Sequence, residues 1–120
     1  MKLLEGKVAI ITGSTQGLGL DIAKVMIAQG GEVMLVGRNA SAGKALCDEH
    51  GPCASYTECD VENDEDIDKC IDNTIDLFGK IDILVNSACT YTDRGIDSSR
   101  EDWHKSLNVN VISAAIFVQK

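Results

Sequence analysis

Four short groups of residues have types and spacings that could hold a ligand. The first is Thr12-Gly13-Ser14-Thr15-Gln16-Gly17-Leu18-Gly19, which follows the apolar run Val8, Ala9, Ile10, Ile11 and precedes a helical pattern. Glycines so placed suit a phosphate-binding corner: Gly13 for a turn with positive φ, Gly17 for close approach of a pyrophosphate, Gly19 for tight helix–strand packing. Free N–H groups at the helix start, with its partial positive charge, would face the phosphates. Taken alone, the stretch also fits a plain glycine turn between strand and helix.

The second group is Gly37-Arg38-Asn39, at the end of the apolar run Glu32 to Val36. An acidic residue about 20 residues beyond the glycines would bind a ribose 2′-hydroxyl. Here that place holds Gly37, with Arg38 beside it, and an arginine fork grips a 2′-phosphate. The pattern leans towards NADP(H), with NAD(H) as the second option; a surface arginine at a strand end is the bland alternative. The third group, Asp60-Val61, ends the alternating run Cys53 to Cys59. Its aspartate could accept from an adenine amino group, or serve as a turn residue. The fourth, Asn86-Ser87-Ala88-Cys89, ends the run Ile81 to Val85, where open α/β sheets place ligands. Further on, Asn108 and Asn110 sit among apolar residues, where an asparagine needs partners or costs about 1–3 kcal/mol. Each is structural glue or part of a site.

The elements that must carry these groups alternate strand and helix. Leu18, Ile22, Val25 and Met26 make a helical stripe ended by Gly30-Gly31, and Ser41 to His50 is a short helix closed by Gly51-Pro52. Ile67, Cys70, Ile71, Ile75 and Phe78 give a third stripe, with acidic residues in its first turn and Gly79 at its end. A last helix starts at Ser98, where Ser98-x-x-Glu101 reads as a capping box; Trp103, Leu107, Val111, Ala114 and Phe117 are its expected buried side. The β-α-β-α-β-α-β-α order predicts a parallel sheet with right-handed crossovers, one α/β domain over residues 1–120.

The totals narrow the classes. A net charge of −8 argues against nucleic acid and anionic membrane, which need clustered Lys and Arg. Five cysteines show no C-x-x-C pair and no metal-ligand spacing, so they read as reduced thiols, with no metal site. No signal-like or membrane-length apolar run is present, and the expected location is cytoplasmic.

In order and spacing, the groups Thr12 to Gly19, Asp60-Val61, Asn86 to Cys89, and Asn110 within Asn108-Val109-Asn110-Val111 resemble the short-chain dehydrogenase/reductase family. The resemblance implies a Rossmann-type doubly wound parallel sheet, here about four strands with flanking helices. It also implies an oxidoreductase that moves a hydride between NAD(P)(H) and a small-molecule carbonyl or alcohol carbon. Cofactor contacts would come from Gly13, Ser14, Thr15, Gln16, Gly17, Leu18, Gly19, Arg38, Asn39, Asp60, Val61, Asn86, Ser87 and Ala88. Asn110 would be the active-site asparagine that holds a water in the proton relay. Two departures stand out. Cys89 replaces the glycine of the family's Asn-Asn-Ala-Gly. The catalytic serine and Tyr-x-x-x-Lys are not met: Tyr56 is followed four residues on by Asp60, and Tyr91 by Gly95. The chain therefore reads as an amino-terminal half, truncated before that motif and inactive alone, of a homo-oligomeric (dimeric or tetrameric) parent. In the lone chain Trp103, Leu107 and Phe117 would be exposed. Thr90 to Asp97 would belong to the pocket rim, with Tyr91 and Arg94 as candidate contacts, although a plain solvated loop fits the stretch better. A non-catalytic nucleotide-binding or interaction module is the alternative.

Overall fold

A computed structural model describes residues 2–90 and 94–120 of the chain; Tyr91 lies outside the described residues. Val8–Thr12 (β1) is buried along its whole length. A strand apolar on both faces needs cover on both, which a parallel sheet between two helix layers provides. Glu32–Gly37 (β2), Ala54–Glu58 (β3) and Ile83–Val85 (β4) complete the sheet, all parallel, in the order β3-β2-β1-β4. In register, Ile10 lies between Met34 on one side and Leu84 on the other.

The helices are Gly17–Ala28 (α1), Ala40–His50 (α2), Asp64–Phe78 (α3), Arg100–Leu107 (α4) and Ser113–Gln119 (α5). Alternate residues of the central strands feed two separate cores, as the two-residue period of a strand requires. Ala9, Ile11, Val33 and Leu35 pack with Ala23 of α1, and with Met26 and Leu46 at its margin. Ile10, Met34 and Val36 pack with Ile67 and Cys70 of α3 and Phe117 of α5. This is a doubly wound Rossmann-type sheet, with the strand order reversing between β1 and β4, where such sheets open their ligand crevice. Burial pushes the Cys59 and Cys70 thiols up to about 12, and all five cysteines are free.

Several local expectations are corrected. In α1 the face toward the sheet is Gly19 and Ala23, whose small side chains let the helix lie close; Leu18 and Val25 are exposed. Thr74 takes the buried place on α3 expected of Ile75, its hydroxyl donating to the Cys70 carbonyl at 2.7 Å. The capping box of α4 is Ser99 with Asp102, not Ser98 with Glu101. Ser98 Oγ is taken up instead in accepting from the Arg94 N–H. Finally, the last helix is not continuous. Asn108–Ile112 forms a π-turn between α4 and α5. Its wider turn breaks the α-helical phase, so Val109, Ser113 and Phe117 point inward while Trp103, Leu107 and Val111 are about half exposed or more. Trp103 and Leu107 are thus exposed as expected, but Phe117 is not, at 4%.

Candidate functional site

The carboxyl ends of the strands open into a cleft of about 930 Å³, the size of a typical small-molecule site. Its near wall is the turn from β1 to α1. Gly13 has φ +62°, and a Cβ there would lie 2.8 Å from the Ala88 Cα; at Gly19 it would lie 2.2 Å from the Gly13 carbonyl oxygen. Both glycines are therefore required by the close approach of backbone to backbone. Gly17 differs. It has φ +60° and lines the cleft, and a Cβ there would meet nothing within 4 Å. That is a cradle a side chain would fill.

The N-terminus of α1 is left free for an anion. Asn39, Asn63 and Ser99 cap the helices α2, α3 and α4 with side-chain oxygens, whereas Gln16, at the start of α1, makes no capping bond. The first turn of α1 also holds no acidic residue. Its N–H groups and dipole are then available to a phosphate.

Thr15, Gln16 and Leu18 line the cleft beside the glycines. Ser14 does not: it is fully buried, its Oγ accepting from Val36 N at 2.9 Å while its own N–H donates to the Val36 carbonyl. It straps the glycine turn to β2. At the end of β2, Gly37 leaves room for Thr15, since a Cβ would come within 3.0 Å of the threonine Oγ1. Arg38 and Asn39 line the cleft next, Asn39 Oδ1 also capping α2 through Ala42 N at 3.0 Å.

Asp60 and Val61 form the adjoining wall. The Asp60 carboxylate accepts from Glu62 N, which fixes this loop as an Asx turn. Across from it, Ser87 and Ala88 line the cleft, and their N–H groups both donate to Thr12 Oγ1 at 3.0 Å. Asn86 is exposed and stands outside the lining. Asn110, carried by the π-turn, also stands outside it. Its amide pairs twice with the backbone of Thr90, accepting from the N–H at 2.8 Å and donating to the carbonyl at 3.1 Å. This ties the helix to the loop after β4.

Sequence reasoning missed Glu62 and Lys105, which both line the cleft and form an ion pair. Hydrogen bonds from Lys105 and then from Asn108 (Nδ2 to Oε2, 2.9 Å) hold the Glu62 carboxyl below its ordinary range. Glu62 follows directly on Asp60-Val61, so adjacency was a usable signal. Lys105 had none, because the two are 43 residues apart. Asn108 is thereby structural glue for this wall. Among the described residues no group of His, Cys, Asp or Glu is arranged to hold a metal, and no helix is long and apolar enough to cross a membrane.

A profile of the family described as short chain dehydrogenase matches residues 7–120. The chain is 36% identical over 115 residues to (21S)-21-acetoxyl-apo-melianone synthase of Melia azedarach, covering 92% of this chain and 42% of that protein. It is 34% identical over 117 residues to a sorbitol dehydrogenase of Cereibacter sphaeroides, covering 97% and 46%. A solved structure of 3-ketoacyl-(acyl-carrier-protein) reductase from Brucella melitensis, complexed with NADH, superposes with a TM-score of 0.88 at 29% identity. That match covers 96% of this chain and 48% of the reductase. The chain thus spans less than half the length of these proteins.

Proposed function

This chain belongs to the short-chain dehydrogenase family, and we propose that its cleft holds a nicotinamide dinucleotide, NADP(H) in preference to NAD(H). The observation that carries this is the β1–α1 turn. Gly17 leaves an open cradle beside an uncapped helix N-terminus, and Gly13 and Gly19 hold that turn against the β4 loop. The residues fit the group. Backbone N–H groups between Gly13 and Gly19 would take the diphosphate, Asp60 and Val61 the adenine, and Ser87 and Ala88 the nicotinamide-side ribose. The preference rests on Arg38 at the end of β2, where the chain has Gly37-Arg38 in place of the acidic residue that would bind a free 2′-hydroxyl.

When bound, the nicotinamide supplies hydride exchange with a carbonyl or alcohol carbon of a small-molecule substrate. Ser14 supports the cleft rather than lining it, and Asn86 stands exposed outside the lining. Asn110 holds the loop after β4 against the π-turn, and it is the local bend of this helix, not the occupied amide, that would present a water to the proton relay. The proton itself passes through a tyrosine activated by a lysine in this family's chemistry, and neither Tyr56 nor Tyr91 has the required lysine four residues on. By itself the chain is therefore a dinucleotide-binding module without turnover. Its expected location is cytoplasmic, and the chain, with Trp103 and Leu107 exposed, is marginal, dimeric or prone to aggregate.

Titration of the 120-residue chain with NADPH, followed by amide NMR, tests the reading. Expected are shifts at residues 13–19, 37–39, 60–62 and 87–88, with no oxidation of NADPH when carbonyl compounds are added. A spectrum unchanged by both NADPH and NADH would overturn the cofactor assignment.

A further inference from the structure

Arg38 does not face the cleft as an isolated cation. Glu62 and Lys105 line the same cleft; hydrogen bonds from Lys105 and then Asn108 do most to favour the ionised form of Glu62, and the charge of Arg38 adds a smaller share. Charge–charge interaction is mutual, so the Glu62 carboxylate weakens the positive field that Arg38 presents. The carboxylate is also held in place. Lys105 Nζ donates to Oε1 and Asn108 Nδ2 donates to Oε2, so both oxygens are engaged. Lys105 offsets its charge in turn, from a side chain that is 40% exposed against 23% for Glu62. Two walls of the cleft, the β3–α3 loop and α4, thus meet in a fixed charge pair that no motif of the sequence marks.

We propose that the Glu62–Lys105 pair is a specificity-determining element, setting how strongly the cleft prefers a phosphorylated over an unphosphorylated dinucleotide. This rests on the cleft being the dinucleotide site. A 2′-phosphate carries about two negative charges at neutral pH and is repelled by Glu62 to the extent that Lys105 does not compensate. A dinucleotide without that phosphate lacks this interaction. Removing the carboxylate therefore raises the preference for NADPH, and removing the ammonium lowers it. The effect acts through space and is screened by salt, whereas a change in loop shape would alter both cofactors together and persist in salt.

The test measures Kd for NADPH and NADH with the 120-residue chain, Glu62→Gln and Lys105→Met, at low and high salt, with folding checked by circular dichroism. Glu62→Gln retains the size of the side chain and its acceptor for Asn108. It should improve the NADPH/NADH affinity ratio about threefold, the effect of one partly screened charge, and Lys105→Met should reduce it similarly. Both changes should shrink at about 0.5 M salt, where the Debye length is only a few ångströms. Equal shifts for the two cofactors, or a ratio unmoved in Glu62→Gln, would overturn the inference while leaving the cofactor site intact. Failure of the unmodified chain to bind either cofactor would overturn the reading of the cleft, and this inference with it.

Discussion

Arg38 and Ser14 both come from stretches the sequence marks as ligand-binding, yet the structure gives them different work. Arg38 reaches the cleft, and its effect should be selective. Arg38→Ala should weaken NADP(H) by about 1.5–3 kcal/mol, the range for charge-assisted hydrogen bonds, and leave NAD(H) nearly unchanged. Paired titrations with the two cofactors read this directly, and equal loss for both would make the arginine structural. Ser14 is legible from its position in the glycine turn but not in its role, because motif spacing does not say which way a side chain points. Its hydroxyl turns inward to the Val36 N–H, a partner 22 residues away. Glu62 was within reach by adjacency to Asp60-Val61, but its role was not, because that comes from Lys105 and Asn108 far along the chain.

At the level of elements, the existence and ends of the strands and first three helices were legible, since Gly30, Gly51 and Gly79 all take positive φ where helices were expected to stop, although the inward faces of α1 and α3 differ from the expected stripes. The last helix did not. Its π-turn shifts the inward face, and no periodic template anticipates an inserted residue. Packing of α2 is a second case. A Cβ on Gly43 would lie 2.3 Å from the Tyr56 ring on β3, whose hydroxyl donates to the Gly37 carbonyl at 2.7 Å. Helix propensity alone favours alanine over glycine by about 1 kcal/mol. Gly43→Ala should nevertheless destabilise, by about 1–3 kcal/mol, because an overpacked contact forces the ring away from β2. Chemical denaturation measures the sign, and a stabilised variant would show that the ring moves freely.

For the molecule as a whole, three carboxylates each hold a different junction: Asp82 the start of β1, Asp102 the start of α4, and Glu62 the β3–α3 loop against α4 and the π-turn. Asp82 accepts from the Val8 N–H at 2.9 Å and pairs with Lys80; these two contacts, the backbone bond first, lower its carboxyl below the ordinary 3.8. The Ser99 N–H does the same for Asp102, and Lys105 for Glu62, below the ordinary 4.5. Folded values below unfolded ones mean that the stabilisation is complete above the ordinary carboxyl range and is lost as pH falls through the folded values. Thermal melts should therefore be level near neutrality and decline below about pH 4.5, with a shallower decline in Asp82→Asn. Tm against pH checks it, and an unaltered acid limb in that variant would remove Asp82 from the account.

One hydroxyl has a wider reach than its size suggests. Thr12 Oγ1 gathers the N–H groups of Ser87 and Ala88, partners 75 and 76 residues distant, and β4 itself is only three residues long with β1 as its one pairing strand among the described residues. Contacts between such remote parts of a chain are slow to close, and so short a strand has few backbone bonds of its own to resist local opening. A dinucleotide bridging the Gly13 turn and the Ser87 loop would act as a clasp across that seam. Slowed hydrogen exchange in β4, well away from the phosphates, would be its furthest echo.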